Sequence, residues 1–112
     1  MEMSVKTEED ICVISVGEDR IDAAVALDFK EDVRRHTEEA PAQVVLDLTK
    51  VTFIDSSGLG AIVASMKHLA PERKLVLAGL TPAVEKVFKL TRMDSVFDIF
   101  LTLEAALQAE RV

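Results

Sequence analysis

The sequence holds one cysteine, no tryptophan or tyrosine, and only 13 basic residues against 20 acidic ones. Each shortage removes a class of function. The single cysteine, Cys12, has no partner for an internal disulfide, and its place in an apolar strand-like run makes it a buried core thiol, because free cysteine behaves as a small hydrophobe. Two histidines and one cysteine, widely separated, give no zinc pattern. A formal charge of −7 argues against a nucleic-acid backbone as partner. Aromatic content is 4%, all phenylalanine, so no platform exists for stacking single-stranded bases. No apolar run approaches the roughly 18–20 residues that a transmembrane helix needs. Met1 leads into Glu2 and Lys6-Thr7-Glu8-Glu9 without an apolar h-region. Neither membrane insertion nor a secretory signal is expected, and the default compartment is the cytoplasm.

What remains is an ordinary globular composition, 49% hydrophobic and 29% charged, over 112 residues. That length suits one domain, 1–112. Ser4–Thr7 and Ile11–Val16 flank the acidic stretch Glu8-Glu9-Asp10 and predict an N-terminal hairpin. Asp22 is a candidate N-cap for a helix beginning at Ala23, with Leu27, Lys30, Val33 and Arg34 at helical spacing and Arg34, Arg35 and His36 near its end. Val44–Leu48 reads as a central strand, which Val51–Ile54 prolongs or follows after a short break. A helix is expected from about Ser57 to Leu69, then a strand at Leu75–Ala78. Thr81-Pro82 marks a helix start, a capping hydroxyl followed by proline in the first turn, with Val84, Val87 and Phe88 on one face. Val96–Phe100 reads as a last strand, and Thr102 as the cap of a terminal helix with Leu103, Ala106 and Leu107 inward. Strands alternating with helices predict an α/β fold: one domain, a mixed sheet opened by an antiparallel hairpin, and about four helices.

The most informative stretch is Asp55-Ser56-Ser57-Gly58-Leu59-Gly60, at a strand-to-helix junction. The first N–H groups of a helix have no internal partners and its dipole is positive there, so the junction suits an anion. A phosphate written onto a serine is the first anion to consider. Capping alone accounts for Asp and Ser, but not for two glycines in the first helical turns, each costing up to about 1 kcal/mol relative to alanine. They make sense if another backbone or a partner must come close. Leu59, between them, is either exposed near the tip or packed inward.

Enzyme readings fail on spacing. A nucleophile elbow needs G-x-S-x-G, and Ile54-Asp55-Ser56-Ser57-Gly58 lacks the first glycine. His68 lies twelve residues along the same helix as Ser56, about 18 Å at 1.5 Å per residue, and His36 ends another helix, so neither reaches a serine as base. Val63 stands where a dinucleotide loop needs its third glycine, and no Gly-Lys-Ser/Thr follows for a phosphate loop. Phosphorylation of Asp55 in the manner of receiver domains would call for an acidic pair after the first strand, where Gly17-Glu18-Asp19 stands, and a lysine after a later one; Gly79-Leu80-Thr81 holds no lysine, and Asp55 is followed by two serines instead of that family's Met-Pro-type turn. No catalytic residue, metal or cofactor is expected.

The chain resembles the STAS-domain family of bacterial anti-sigma factor antagonists. The match is carried by Val45-Leu46-Asp47-Leu48, Phe53-Ile54-Asp55-Ser56-Ser57-Gly58-Leu59-Gly60, and Leu80-Thr81-Pro82-Ala83-Val84 with Val87-Phe88. Ile21-Asp22-Ala23-Ala24 looks like the family's loop aspartate and following helix start. The resemblance implies a switch rather than an enzyme. Ser56 matches the serine phosphorylated by a partner that is both anti-sigma factor and ATP-binding serine kinase of the histidine-kinase-like ATPase fold. The unphosphorylated form binds that partner and frees the sigma factor, and a PPM-type serine phosphatase restores it. Asp22 matches the loop aspartate that contacts the partner; Asp55, Ser57, Gly58, Leu59 and Gly60 complete the expected contact set, with Ser57 either a second acceptor or a helix cap. A phosphoserine adds about −1.5 to −2 charge, which its own helix N-terminus tolerates and a packed interface does not, so exclusion from an interface is expected rather than refolding. The loop Gly17-Glu18-Asp19-Arg20-Ile21-Asp22 is two residues longer than the family's usual form, the extra ones being Asp19 and Arg20. STAS domains also serve as scaffolds or accessory subunits of transporters and stress-signalling complexes, the alternative reading.

Overall fold

The computed structural model describes residues 1–110; the expected domain end at residue 112 lies outside the described residues. Strands β1 (Met3–Glu8) and β2 (Ile11–Val16) form the expected antiparallel hairpin, Met3 opposite Val16 and Glu8 opposite Ile11. Glu9 and Asp10 turn it with φ of 50° and 67°. Positive φ at both turn positions is the geometry that matches the twist of the flanking strands. Beyond β2 the sheet is parallel: β4 (Gln43–Asp47), β6 (Lys74–Ala78) and β7 (Ile99–Phe100) follow in the order β1-β2-β4-β6-β7. Among the described residues four helices accompany it: α1 (Ala26–His36), α2 (Ser56–Leu69), α3 (Pro82–Leu90) and α4 (Leu103–Glu110).

The central strands alternate between two cores, as the two-residue period of a strand dictates. Cys12, Ile14, Leu46 and Leu77 face one side, where Phe29 and Val33 of α1, Ile62 and Leu69 of α2, and Val84 and Phe88 of α3 cover them. Ile11, Val13, Val45 and Val76 face the other, covered by Ala106, Leu103 and Leu107 of α4. Cys12 is buried as expected, and that burial pushes its thiol pKa up. Thr102 caps α4 as expected, its hydroxyl oxygen accepting the Ala105 N–H at 3.0 Å.

Four local expectations need correction. The first helix starts at Ala26, not Ala23. The Asp22 carboxylate accepts the Ala24 N–H at 3.1 Å and the Asp22 carbonyl accepts that of Val25 at 3.1 Å, closing a turn ahead of the helix. Short acidic side chains offer the backbone this alternative to helix. The inward face of α1 is set by Phe29 and Val33, leaving Leu27 62% exposed. Val51–Ile54 follows the central strand after a break, the second of its two expected arrangements, but only Phe53–Ile54 (β5) is strand, and it pairs in parallel with Arg20–Ile21 (β3) as a ribbon separate from the main sheet. The Thr81 hydroxyl does not cap α3 but donates to the Val51 carbonyl at 2.7 Å, tying that loop down. The last strand shrinks to Ile99–Phe100, with Met93–Ser95 in a 3-10 turn before it.

Candidate functional site: the β5–α2 junction

The β3–β5 ribbon positions the junction. The Asp19 carbonyl accepts the N–H of Thr52 at 2.7 Å, that of Phe53 at 3.2 Å, and the Thr52 hydroxyl at 3.1 Å. The Arg20 guanidinium lies over the Phe53 ring, 4.7 Å from its centroid. The two extra loop residues therefore build the ribbon. A cation held against an aromatic face contributes about 0.5–1 kcal/mol at an exposed site. Sequence reasoning named Arg20 and Phe53 but missed that they meet beside the junction; the pairing joins residues more than thirty positions apart, and no local pattern encodes it.

Asp55 is the N-cap of α2, in extended conformation. One carboxylate oxygen accepts the Gly58 N–H at 2.9 Å and the other accepts the Ala23 N–H at 3.1 Å. One side chain thus ties the start of α2 to the turn that leads into α1, and brings Asp22 to the same place. The Gly58 N–H foremost holds the Asp55 carboxyl below its ordinary pKa; desolvation opposes it, and the Ala23 N–H adds a smaller lowering.

A group whose folded pKa is lowered stabilises the fold above its unfolded pKa and loses that contribution as pH falls through the folded value. The thermal midpoint of the native chain should therefore drop faster below the ordinary carboxylate range than that of Asp55→Asn. The amide oxygen still accepts one N–H but does not titrate. Parallel curves from neutral to strongly acidic pH would show that Asp55 contributes nothing to acid sensitivity.

The six residues of the motif divide by environment. Ser56 and Ser57 are exposed, and neither hydroxyl has a hydrogen-bond partner among the described residues. The cap, one of the roles left open for Ser57, comes from Asp55. Gly58 is buried; a Cβ there would meet the carbonyl oxygen of Ile21, so the backbone that comes close belongs to this chain. Leu59 is 9% exposed and packs in the larger core, which decides between its two expected places in favour of the inward one. Gly60 is exposed, with nothing within 4 Å of a Cβ. Of the Gly58-Leu59-Gly60 contact expected for a partner, only Gly60 presents itself to solvent. The accessible surface of the site is Asp22, Asp55, Ser56, Ser57 and Gly60.

His68 lies in the last turn of α2 and Ser56 in its first, so the imidazole has no access to that hydroxyl. Among the described residues no three acidic, histidine or cysteine side chains gather as metal ligands, and no helix is long and apolar enough to cross a membrane.

Comparison with known proteins agrees with this geometry. A family profile of the STAS domain matches residues 2–106. The anti-sigma-B factor antagonist of Listeria monocytogenes is 30% identical over 100 residues, covering 88% of this chain and 86% of that protein. The crystal structure of an anti-sigma factor antagonist from Mycobacterium paratuberculosis superposes with a TM-score of 0.89 at 28% identity, over 99% of this chain and 94% of that one. The phosphorylated form of the Bacillus cell fate determinant SpoIIAA shares the fold, with a TM-score of 0.71 at 19% identity over 98% of this chain and all of that one.

Proposed function

The chain belongs to the STAS-domain family of anti-sigma factor antagonists, and from that premise we propose that it is a phosphorylation-controlled partner switch acting in the cytoplasm. Its unmodified form binds an anti-sigma factor that is also an ATP-dependent serine kinase, and so releases a sigma factor. The Ser56 oxygen takes the γ-phosphoryl group of ATP, ADP leaves, and the complex comes apart. A PPM-type phosphatase hydrolyses the phosphoserine and restores binding.

The observation that carries this reading is the Ser56 hydroxyl: exposed, without a hydrogen-bond partner among the described residues, and one residue beyond a carboxylate that already occupies the helix terminus. An acceptor for a kinase must be reachable and free of competing bonds. Because Asp55 takes the Gly58 N–H, a phosphate on Ser56 does not displace a bond that holds the fold together. It adds its charge beside Asp55 and Asp22 at the surface, and a partner packed there would have to bury an uncompensated dianion. Asp22, Ser57 and Gly60 form the rest of that contact.

The test uses the anti-sigma factor encoded in the same genome. After incubation with it and ATP, mass spectrometry should place one phosphate on Ser56, and Ser56→Ala should remain unmodified. Ser56→Ala should bind that factor as the native chain does, and Ser56→Asp at least about tenfold more weakly, the effect expected from one buried uncompensated charge. Equal binding by both variants would overturn the switch and leave a scaffold. A phosphate found only on Ser57 would move the acceptor.

A further inference from the structure

The groove between α1 and α2 begins at Ser57 and Gly60, beside the phosphorylatable serine, and runs along both helices to Ser65 and His68. Leu27 and Lys30 line both halves, which makes it one continuous feature. Its halves measure about 280 and 310 Å³, at the bottom of the range of about 300–1,000 Å³ for small-molecule pockets and in keeping with a surface groove for side chains.

Three observations on its walls need a common cause. Leu27 stands 62% exposed on α1, although Phe29 two residues on is fully buried. Lys30 and Arg34 lie one turn apart on that wall, like charges at a spacing that destabilises a helix, and neither has an ion-pair partner among the described residues. Arg35, by contrast, is paired with Asp32 at 3.0 Å. Across the groove, Gly60 leaves open space where any other residue would place a side chain. Glu31 is the one acid on the lining, against Lys30 and Arg34. On a chain of net charge −7 this is a locally cationic, partly apolar channel.

We propose that the α1–α2 groove seats an acidic amphipathic segment of the anti-sigma partner, its carboxylates on Lys30 and Arg34 and its apolar side against Leu27. The proposal rests on the antagonist reading and adds to it a second contact, distinct from Ser56. Charge complementarity selects the occupant: an acidic segment satisfies both unpaired cations, whereas a basic one would be repelled by them. Apolar side chains of that segment cover Leu27, and its backbone can approach α2 closely because residue 60 has no side chain. Contacts of this kind act mainly on encounter and on discrimination between partners, and they weaken with salt.

The experiment measures binding of the same anti-sigma factor to the full native chain and to its variants, at low and high salt. The Lys30→Glu, Arg34→Glu double variant should bind about tenfold more weakly and lose most of the native salt dependence. Reversal of two lysines outside the groove, Lys6→Glu with Lys86→Glu, should leave affinity within about twofold. Thermal midpoints check that each form is folded, and Lys30→Ala with Arg34→Ala should weaken binding in the same direction should the reversed pair disturb α1. A photo-crosslinker in place of Leu27 should attach to an acidic stretch of the partner. Native-like binding by folded groove variants, or a crosslink into a neutral or basic stretch, would overturn the groove while Ser56-dependent binding stands. A native chain that does not bind this factor would remove both readings together.

Discussion

Phe88→Ala is expected to lower the stability of this domain by about 4 kcal/mol, the middle of the range for truncating a buried aromatic. Phe88 is fully buried where α3 meets the sheet, and its ring meets that of Phe97 edge-on, with centroids 5.9 Å apart and planes at 69°. Removing it loses the transfer energy of the ring, leaves a cavity that α3 and the segment before β7 can only partly close, and strands the Phe97 ring without its partner. Against a total stability of roughly 5–15 kcal/mol, the loss is a large fraction. Urea denaturation checks it through the midpoint at constant slope. A loss below about 2 kcal/mol would mean that the surrounding elements collapse onto the site. Leu90, two residues on in the same helix, is 74% exposed, and its truncation should change stability by no more than about 0.5 kcal/mol.

The second large effect falls at Gly58, where the ordinary rule reverses sign. Alanine is normally favoured over glycine inside a helix by up to about 1 kcal/mol. At Gly58 the added methyl would meet the carbonyl oxygen of Ile21 and lie 2.7 Å from its carbonyl carbon. Backbone atoms cannot rotate away, so β3 and α2 must separate. A net destabilisation of about 2 kcal/mol is expected, in the range for overpacking. The same displacement pulls the Ala23 N–H from the Asp55 carboxylate, so binding of the anti-sigma factor should fall although Ser56 is untouched. Gly60→Ala supplies the contrast, since nothing stands near its Cβ: thermal unfolding should show it as stable as the native chain or more so. If both substitutions shifted the midpoint the same way, the close approach at Ile21 would not be the reason for glycine at 58.

These two glycines also mark where the sequence stops being legible. Two glycines in the first turns of a helix announce that something comes close, and the structure gives a different answer for each. The backbone against Gly58 is Ile21, 37 positions earlier, a pairing that no local pattern carries. The same distance effect hid the β3–β5 ribbon: Val51–Ile54 is apolar enough to pass for a strand of the main sheet, and only its bonds to Asp19 and Ile21 place it elsewhere. Features fixed by neighbours in sequence were readable. The apolar run Ile11–Val16, the hairpin turn within Glu8-Glu9-Asp10, the Thr102 cap and the start of α2 beside Asp55 all follow from local preferences. Asp22 shows how such preferences compete, because a residue good at capping helices is equally good at closing the turn that delays one. Leu27 fits the spacing of α1, but the larger Phe29 sets which face turns inward. In the motif itself, the junction and its exposed serines were legible, whereas the inward turn of Leu59 was one of two open alternatives.

The double attachment of the Asp55 carboxylate, to the Gly58 and Ala23 N–H groups, bears on how long a signal can last. Neither attachment uses the Ser56 side chain. Under the proposed switch, the modified and unmodified molecules would then unfold at nearly the same rate and be cleared by cellular proteolysis equally slowly. Their ratio would record only the past balance of kinase and phosphatase, undistorted by turnover. The domain would serve as a one-bit memory whose lifetime is set by its enzymes and not by its own decay.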